Sequence, residues 1–111
     1  MNTAPATISQ LIERFKIYLL ENDKSLNTIK SYSQDLNYFF KWIQQRYEPP
    51  HLISILTSTD LKDYERHLKS DSTIAPSTIN RRLISLMKWS EFLVTIGSTN
   101  INLANNIKIK K

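Results

Sequence analysis

The 111-residue chain contains no cysteine and only one glycine, Gly97. The first absence excludes a disulfide framework and any thiolate metal site, and it agrees with a reducing compartment. The second excludes a glycine-rich loop of the kind that cradles phosphates. Histidine is almost as scarce. His51 and His67 stand 16 residues apart with no i, i+4 partner and no carboxylate box around them, so each reads as a surface or boundary residue. No apolar run approaches the about 18 residues that a membrane span needs, and the amino terminus lacks the basic-then-apolar order of a secretory signal. The expectation is a soluble, cytoplasmic chain with no membrane partner. Serines are numerous, but they gather at helix starts, where capping explains them. No catalytic residue, metal site or cofactor is read from the chain.

What is present is helical periodicity. Ser77 to Gly97 is bounded by Pro76, which cannot continue a preceding helix, and by Gly97, which suits a left-handed closing turn, with Ser77 or Thr78 as the expected cap. At about 100° per residue, Ile79, Leu83, Leu86, Met87, Leu93 and Val94 share one side with Trp89 at its edge, and Ser77, Arg81, Lys88 and Glu91 lie opposite. The same pattern predicts a first helix over 8–22 capped by Thr7, with Tyr18 among its inner residues, and a second over 25–47 with Ile29, Tyr32, Leu36, Phe39, Phe40 and Ile43 inward. Pro49 and Pro50 end the second helix, and residues 51–56 read as a packed loop. A third helix follows from Thr57 or Ser58 to about Lys69, with Leu61, Tyr64 and Leu68 inward and Lys62, Asp63, Glu65, Arg66 and Lys69 outward. Four amphipathic helices with short connections make an all-α bundle. Residues 1–6 are expected to be a flexible start, 7–97 the folded domain, and 98–111 a connector that stands apart from the core and leads on into further chain.

The net charge of +5 is unevenly spread: 25–47 carries +2, 48–73 carries −2 and 74–111 carries +5. Two segments therefore hold the cationic excess, as expected if particular helices face a polyanion. On the second helix the outer set is Asn27, Lys30, Ser31, Gln34, Tyr38 and Lys41, with no acid at its centre because Asp35 lies to one side. Both helices add short polar residues at the amino-terminal end, where free amides and the helix dipole favour phosphate. The candidate DNA-binding residues are Asn27, Thr28, Lys30, Ser31, Gln34 and Lys41 on the second helix, and Ser77, Thr78, Asn80, Arg81, Arg82 and Lys88 on the fourth. The alternative is a helical protein–protein interaction domain with no DNA role. A helix-turn-helix regulator fits less well, because the loop before Pro76 is longer than that motif's turn.

Three phrases occur in order: Ser25-Leu-Asn-Thr-Ile-Lys-Ser-Tyr, Leu61-Lys-Asp-Tyr-Glu-Arg-His-Leu and Ser77-Thr-Ile-Asn-Arg-Arg-Leu-Ile-Ser-Leu. Together they resemble the amino-terminal core-binding domain of tyrosine recombinases, the phage-integrase family, over about residues 8–109. The resemblance implies a SAM-like, orthogonal four-helix bundle whose second and fourth helices lie on the major groove of double-stranded DNA. It also implies a separate carboxy-terminal catalytic domain, with an attacking tyrosine, that closes the clamp round the duplex, and other recombinase subunits as partners. The 111 residues themselves are then expected to be non-enzymatic and monomeric. Two positions depart from the family pattern. Met87 stands where relatives carry a base, which turns Lys88 about 100° away from the usual contact. Asn102-Leu103-Ala104 replaces the family's Asn-Pro-Ala, which is expected to loosen the connector.

Overall fold

A computed structural model describes residues 5–109. It contains α1 (Ile8–Glu21), α2 (Leu26–Arg46), α3 (Ser58–Ser70) and α4 (Pro76–Thr95), with one short 3-10 turn at Ile53–Ile55 between α2 and α3. Among the described residues there is no strand, only an isolated bridge between Thr7 and Leu52. The all-α four-helix expectation holds.

Three of the four helix starts follow directly from local sequence. Thr7 and Gln10 form a reciprocal capping box, with Gln10 N donating to Thr7 Oγ1 at 3.1 Å and Thr7 N donating to Gln10 Oε1 at 2.9 Å. Ser25 Oγ accepts from Thr28 N at 3.1 Å, and Thr57 and Asp60 make a second box. The fourth start differs from expectation. Helix α4 begins at Pro76 with Ala75 as cap and no side-chain capping bond. Proline at the first helical position lacks an N–H that would have been unsatisfied anyway, so the hydroxyls of Ser77 and Thr78 are not used as caps. At the other end Gly97, with φ 77°, closes the helix by a pair of hydrogen bonds: Gly97 N donates to Val94 O at 3.0 Å and Ser98 N to Leu93 O at 2.9 Å. A side chain at Gly97 would meet nothing within 4 Å, so the backbone angle, not space, calls for glycine there.

The core is one cluster. It joins Ile8, Leu11 and Phe15 of α1, Leu36, Phe39 and Ile43 of α2, Leu61 and Tyr64 of α3, and Leu83, Leu86, Trp89 and Leu93 of α4. Trp89, placed by periodicity at the edge of its face, is fully buried, and its indole N–H donates to Leu11 O at 3.3 Å, tying α4 to α1. Two residues expected inside are not: Tyr18 and Val94 are 40% and 39% exposed. Tyr18 stacks on Phe15 and meets Phe92 at a tilt instead.

The segments just before α1 and after α4 are tied more firmly than their composition indicates. Residues 1–4 lie outside the described residues, but Ala6 O accepts from Ile53 N at 3.0 Å and His51 O accepts from Ile8 N at 3.0 Å, so the 51–56 segment does pack, as expected, and it holds the start of α1. The expectation that residues past Gly97 stand apart from the core is corrected. Leu103, Ala104 and Ile107 are buried in it, and Lys62 Nζ donates to Asn106 O at 3.0 Å. Nor does the missing proline loosen this segment, because Asn102 Oδ1 accepts from Ala104 N at 2.9 Å and forms the turn itself.

This packing also corrects the orientation of Glu65. Expected outward, it is 2% exposed, with Lys62 Nζ and Lys69 Nζ each 2.7 Å from its carboxylate and Lys108 N donating to it at 3.3 Å. Burial acts to raise its pKa, yet Lys62, Lys69 and the Lys108 amide together outweigh burial and hold the carboxyl below its ordinary value. Asp60, 1% exposed, is caged likewise, with Tyr47 Oη donating to it at 2.6 Å and Arg46 Nε at 3.1 Å.

Candidate nucleic-acid interface

Helices α2 and α4 lie side by side, and between their outer faces run two adjoining depressions. The first, of about 530 Å³, is lined by Asn27, Thr28 and Ser31 from α2 and by Ser77, Asn80, Arg81 and Ile84 from α4. The second, of about 390 Å³, is lined by Gln34, Asn37, Tyr38 and Lys41 from α2 with Arg81 and Arg82 from α4. Arg81 stands at their junction. Nine of the twelve candidates thus share one face: Asn27, Thr28, Ser31, Gln34, Lys41, Ser77, Asn80, Arg81 and Arg82. The other three line neither depression. Lys30 is exposed and Thr78 half-buried. Lys88 faces a separate hollow with Lys24 and Phe15 and sits 3.9 Å from Glu91, in keeping with the rotation that Met87 imposes.

The arrangement turns on Asp35, which periodicity set to one side of the α2 face. Its side chain is fully buried between the helices and accepts three hydrogen bonds: from Arg81 Nε at 3.2 Å, Arg81 Nη2 at 2.8 Å and Ser85 Oγ at 2.7 Å. This is a side-on fork. It uses the Nε–Nη2 edge of the guanidinium and leaves the Nη1–Nη2 edge pointing away from the carboxylate, on a side chain that is 51% exposed. The bond to Asp35 raises the already high pKa of Arg81 further, against the lowering effect of burial. Arg81 is therefore a permanent cation with one edge fixed and one edge presented.

Arg82 is positioned differently. Its guanidinium lies over the Tyr38 ring, 4.1 Å from the centroid, a cation–π contact that holds it above α2. Tyr38 is itself 52% exposed, so both partners border the outer surface. Asn37, Tyr38, Tyr32, Asp35, Ser85 and Ile84 complete the face and were not among the sequence candidates. For Asn37 the neighbouring exposed Tyr38 was the available signal. Asp35 and Ser85 gave none, because their partners are about 50 residues distant in sequence.

A cationic groove between two helix faces, hydroxyl- and amide-lined, is suited to a sugar-phosphate chain or to base edges. The Tyr64 phenol is buried with no partner among the described residues, and burial pushes it up to about 12; the bond to Asp60 raises Tyr47 as well. Both stay protonated at neutral pH.

Comparison with known proteins decides the family. The profile described as "Phage integrase, N-terminal SAM-like domain" matches residues 12–97. The chain belongs to that family. As an integrase-type SAM-like domain it is 31% identical over 105 residues to tyrosine recombinase XerD of Rickettsia bellii, covering 94% of this chain and 32% of the relative. It is 28% identical over 86 residues to the TnP I resolvase of Bacillus thuringiensis, covering 78% of this chain and 30% of that protein. The domain thus spans about a third of the length of the curated relatives that it matches. In three dimensions it resembles the N-terminal domain of a phage integrase/site-specific recombinase from Haloarcula marismortui, with a TM-score of 0.82 and 21% identity over 97% of this chain and 100% of that one. That likeness establishes the fold. Among the described residues no helix is long and apolar enough to cross a membrane.

Proposed function

We propose that the α2–α4 face binds double-stranded DNA, as the core-binding domain of a site-specific tyrosine recombinase acting in the cytoplasm. The observation that carries this reading is Arg81, oriented by a buried carboxylate so that one guanidinium edge projects from a groove already lined by hydroxyls, amides and a second arginine. Pairing with the buried Asp35 fixes the orientation of Arg81, so less side-chain freedom is lost when its exposed edge meets a ligand. Lys30 and Lys41, exposed on α2, add phosphate-positioning charge. The names of the relatives, a tyrosine recombinase and a resolvase, agree with such a role. Strand cleavage is assigned to a separate catalytic domain, and the partners are that domain and further recombinase subunits.

Binding of a random-sequence duplex measured at several salt concentrations tests the reading. Affinity should fall steeply with salt, and Lys30→Ala or Lys41→Ala should each lower the slope by about 0.9, the value of one phosphate contact. Weak binding that is indifferent to salt would leave the face without a polyanionic partner and favour a protein-binding role.

A further inference from the structure

On α4 the residues Ser77, Asn80, Arg81 and Ile84 follow one another along a single stripe, and all four line the depression shared with α2. Three of them carry hydrogen-bonding groups. Ile84 does not, and it is 40% exposed, while the adjacent Leu83 is buried in the core. A lone exposed apolar side chain is ordinary on a protein surface. What singles out Ile84 is its setting: Arg81 lies one turn before it on the same helix, and Thr28 and Ser31 line the same depression from α2. If these neighbours meet a duplex, Ile84 meets it too. The major groove offers one prominent apolar group to such a side chain, the 5-methyl of thymine.

We propose that Ile84 is a specificity-determining residue that packs on a thymine 5-methyl group and makes the domain favour T at the position it covers. The inference rests on the DNA-binding reading above and adds to it a base preference that hydrogen bonding does not supply. A branched side chain held on a rigid helix loses little freedom on making this contact, and Arg81 beside it fixes the register through its aimed guanidinium edge.

The test compares alternating poly(dA-dT) with poly(dA-dU), which differ only by that methyl, at one fixed salt concentration with the full 111-residue chain. The unaltered protein should bind the thymine polymer about fourfold more tightly, the equivalent of about 0.8 kcal/mol for one buried methyl-sized group. Ile84→Ser should bring the ratio close to one, and Ile84→Val should retain most of it. Because Ile84 lies outside the core, these substitutions should leave the thermal transition in place, which the same samples can show. A ratio near one for the unaltered protein, or an unchanged ratio in Ile84→Ser, overturns the inference while leaving the DNA reading intact. Failure to bind either polymer at low salt overturns both.

Discussion

The α2–α4 face and the α3 side of the domain use the same ingredients to opposite ends. On the α3 side, buried carboxylates consume the cations around them: Glu65 draws in Lys62 and Lys69, and Asp60 draws in Arg46. On the α2–α4 face there is also a buried carboxylate, Asp35, but it takes only one edge of one guanidinium and the hydroxyl of Ser85. The difference lies in what covers the acid. Glu65 is met by both lysines and by the Lys108 amide, and Lys62 also donates to Asn106 O, so the returning carboxy-terminal segment shares these cations. Asp35 is covered by Arg81 and Ser85, and the Arg81 side chain is 51% exposed. Net charge by segment foreshadows this contrast, with the acidic 48–73 stretch between two basic ones, yet the sum does not say which cations are occupied.

The largest change that can be made to both regions at once is Leu83→Ala. Leu83 is fully buried beneath them, and its truncation should cost about 2 to 5 kcal/mol in chemical denaturation, with binding lost only through unfolding. A smaller step separates the regions. Glu65→Gln should lower stability by about 1 to 3 kcal/mol, because two lysines and a backbone amide lose a buried anion, and should speed amide exchange over 104–108 while leaving duplex affinity unchanged. A parallel fall in affinity would mean that the two sides are coupled and that the comparison fails.

The same variant sharpens the contrast through pH. The Glu65 carboxyl is held below 4.5 when folded, so the unfolded chain takes up its proton first as pH falls. Its contribution is present above about pH 4.5 and is lost as pH drops from there through the lower folded value. Denaturation curves from pH 7 to pH 3 should accordingly fall more steeply for the unaltered protein than for Glu65→Gln.

Arg81 needs a substitution that spares Asp35. Arg81→Ala would strand a buried carboxylate and unsettle the fold, whereas Arg81→Lys keeps a cation beside it and gives up the planar fork. The lysine variant should stay folded and lose about 1 kcal/mol in duplex affinity; a lowered melting temperature with unchanged affinity would make Arg81 a structural residue only. The smallest effect belongs to Lys88→Ala. Its pairing with Glu91 is long and exposed, and it lies off the face, so both stability and affinity should change by less than about 0.5 kcal/mol.

The helices were legible because their signals are local. Thr7, Ser25 and Thr57 cap within three residues of themselves, and the apolar spacing of α1, α2 and α4 places most of the core. Most of the candidate face was legible for the same reason, since outer positions on an amphipathic helix follow from inner ones. Its organiser was not. Asp35 and Arg81 are 46 residues apart, and nothing in either neighbourhood marks them as a pair. Glu65 illustrates the complementary failure. Its spacing from Leu61 is that of an inner residue, but its charge argued for the outside, and only the return of residues 103–108 over α3 explains why a carboxylate is stable there.

The side-on fork at Asp35 bears on any attempt to transplant this surface. A helix copied from α4 alone would carry Ser77, Asn80, Arg81 and Ile84 in correct order, yet its arginine would swing through many rotamers and pair with whichever anion was nearest. A working graft must include a second helix, a carboxylate set into the seam between the two, and the Ser85 hydroxyl that completes its hydrogen bonding. The portable unit is therefore the seam and not the helix.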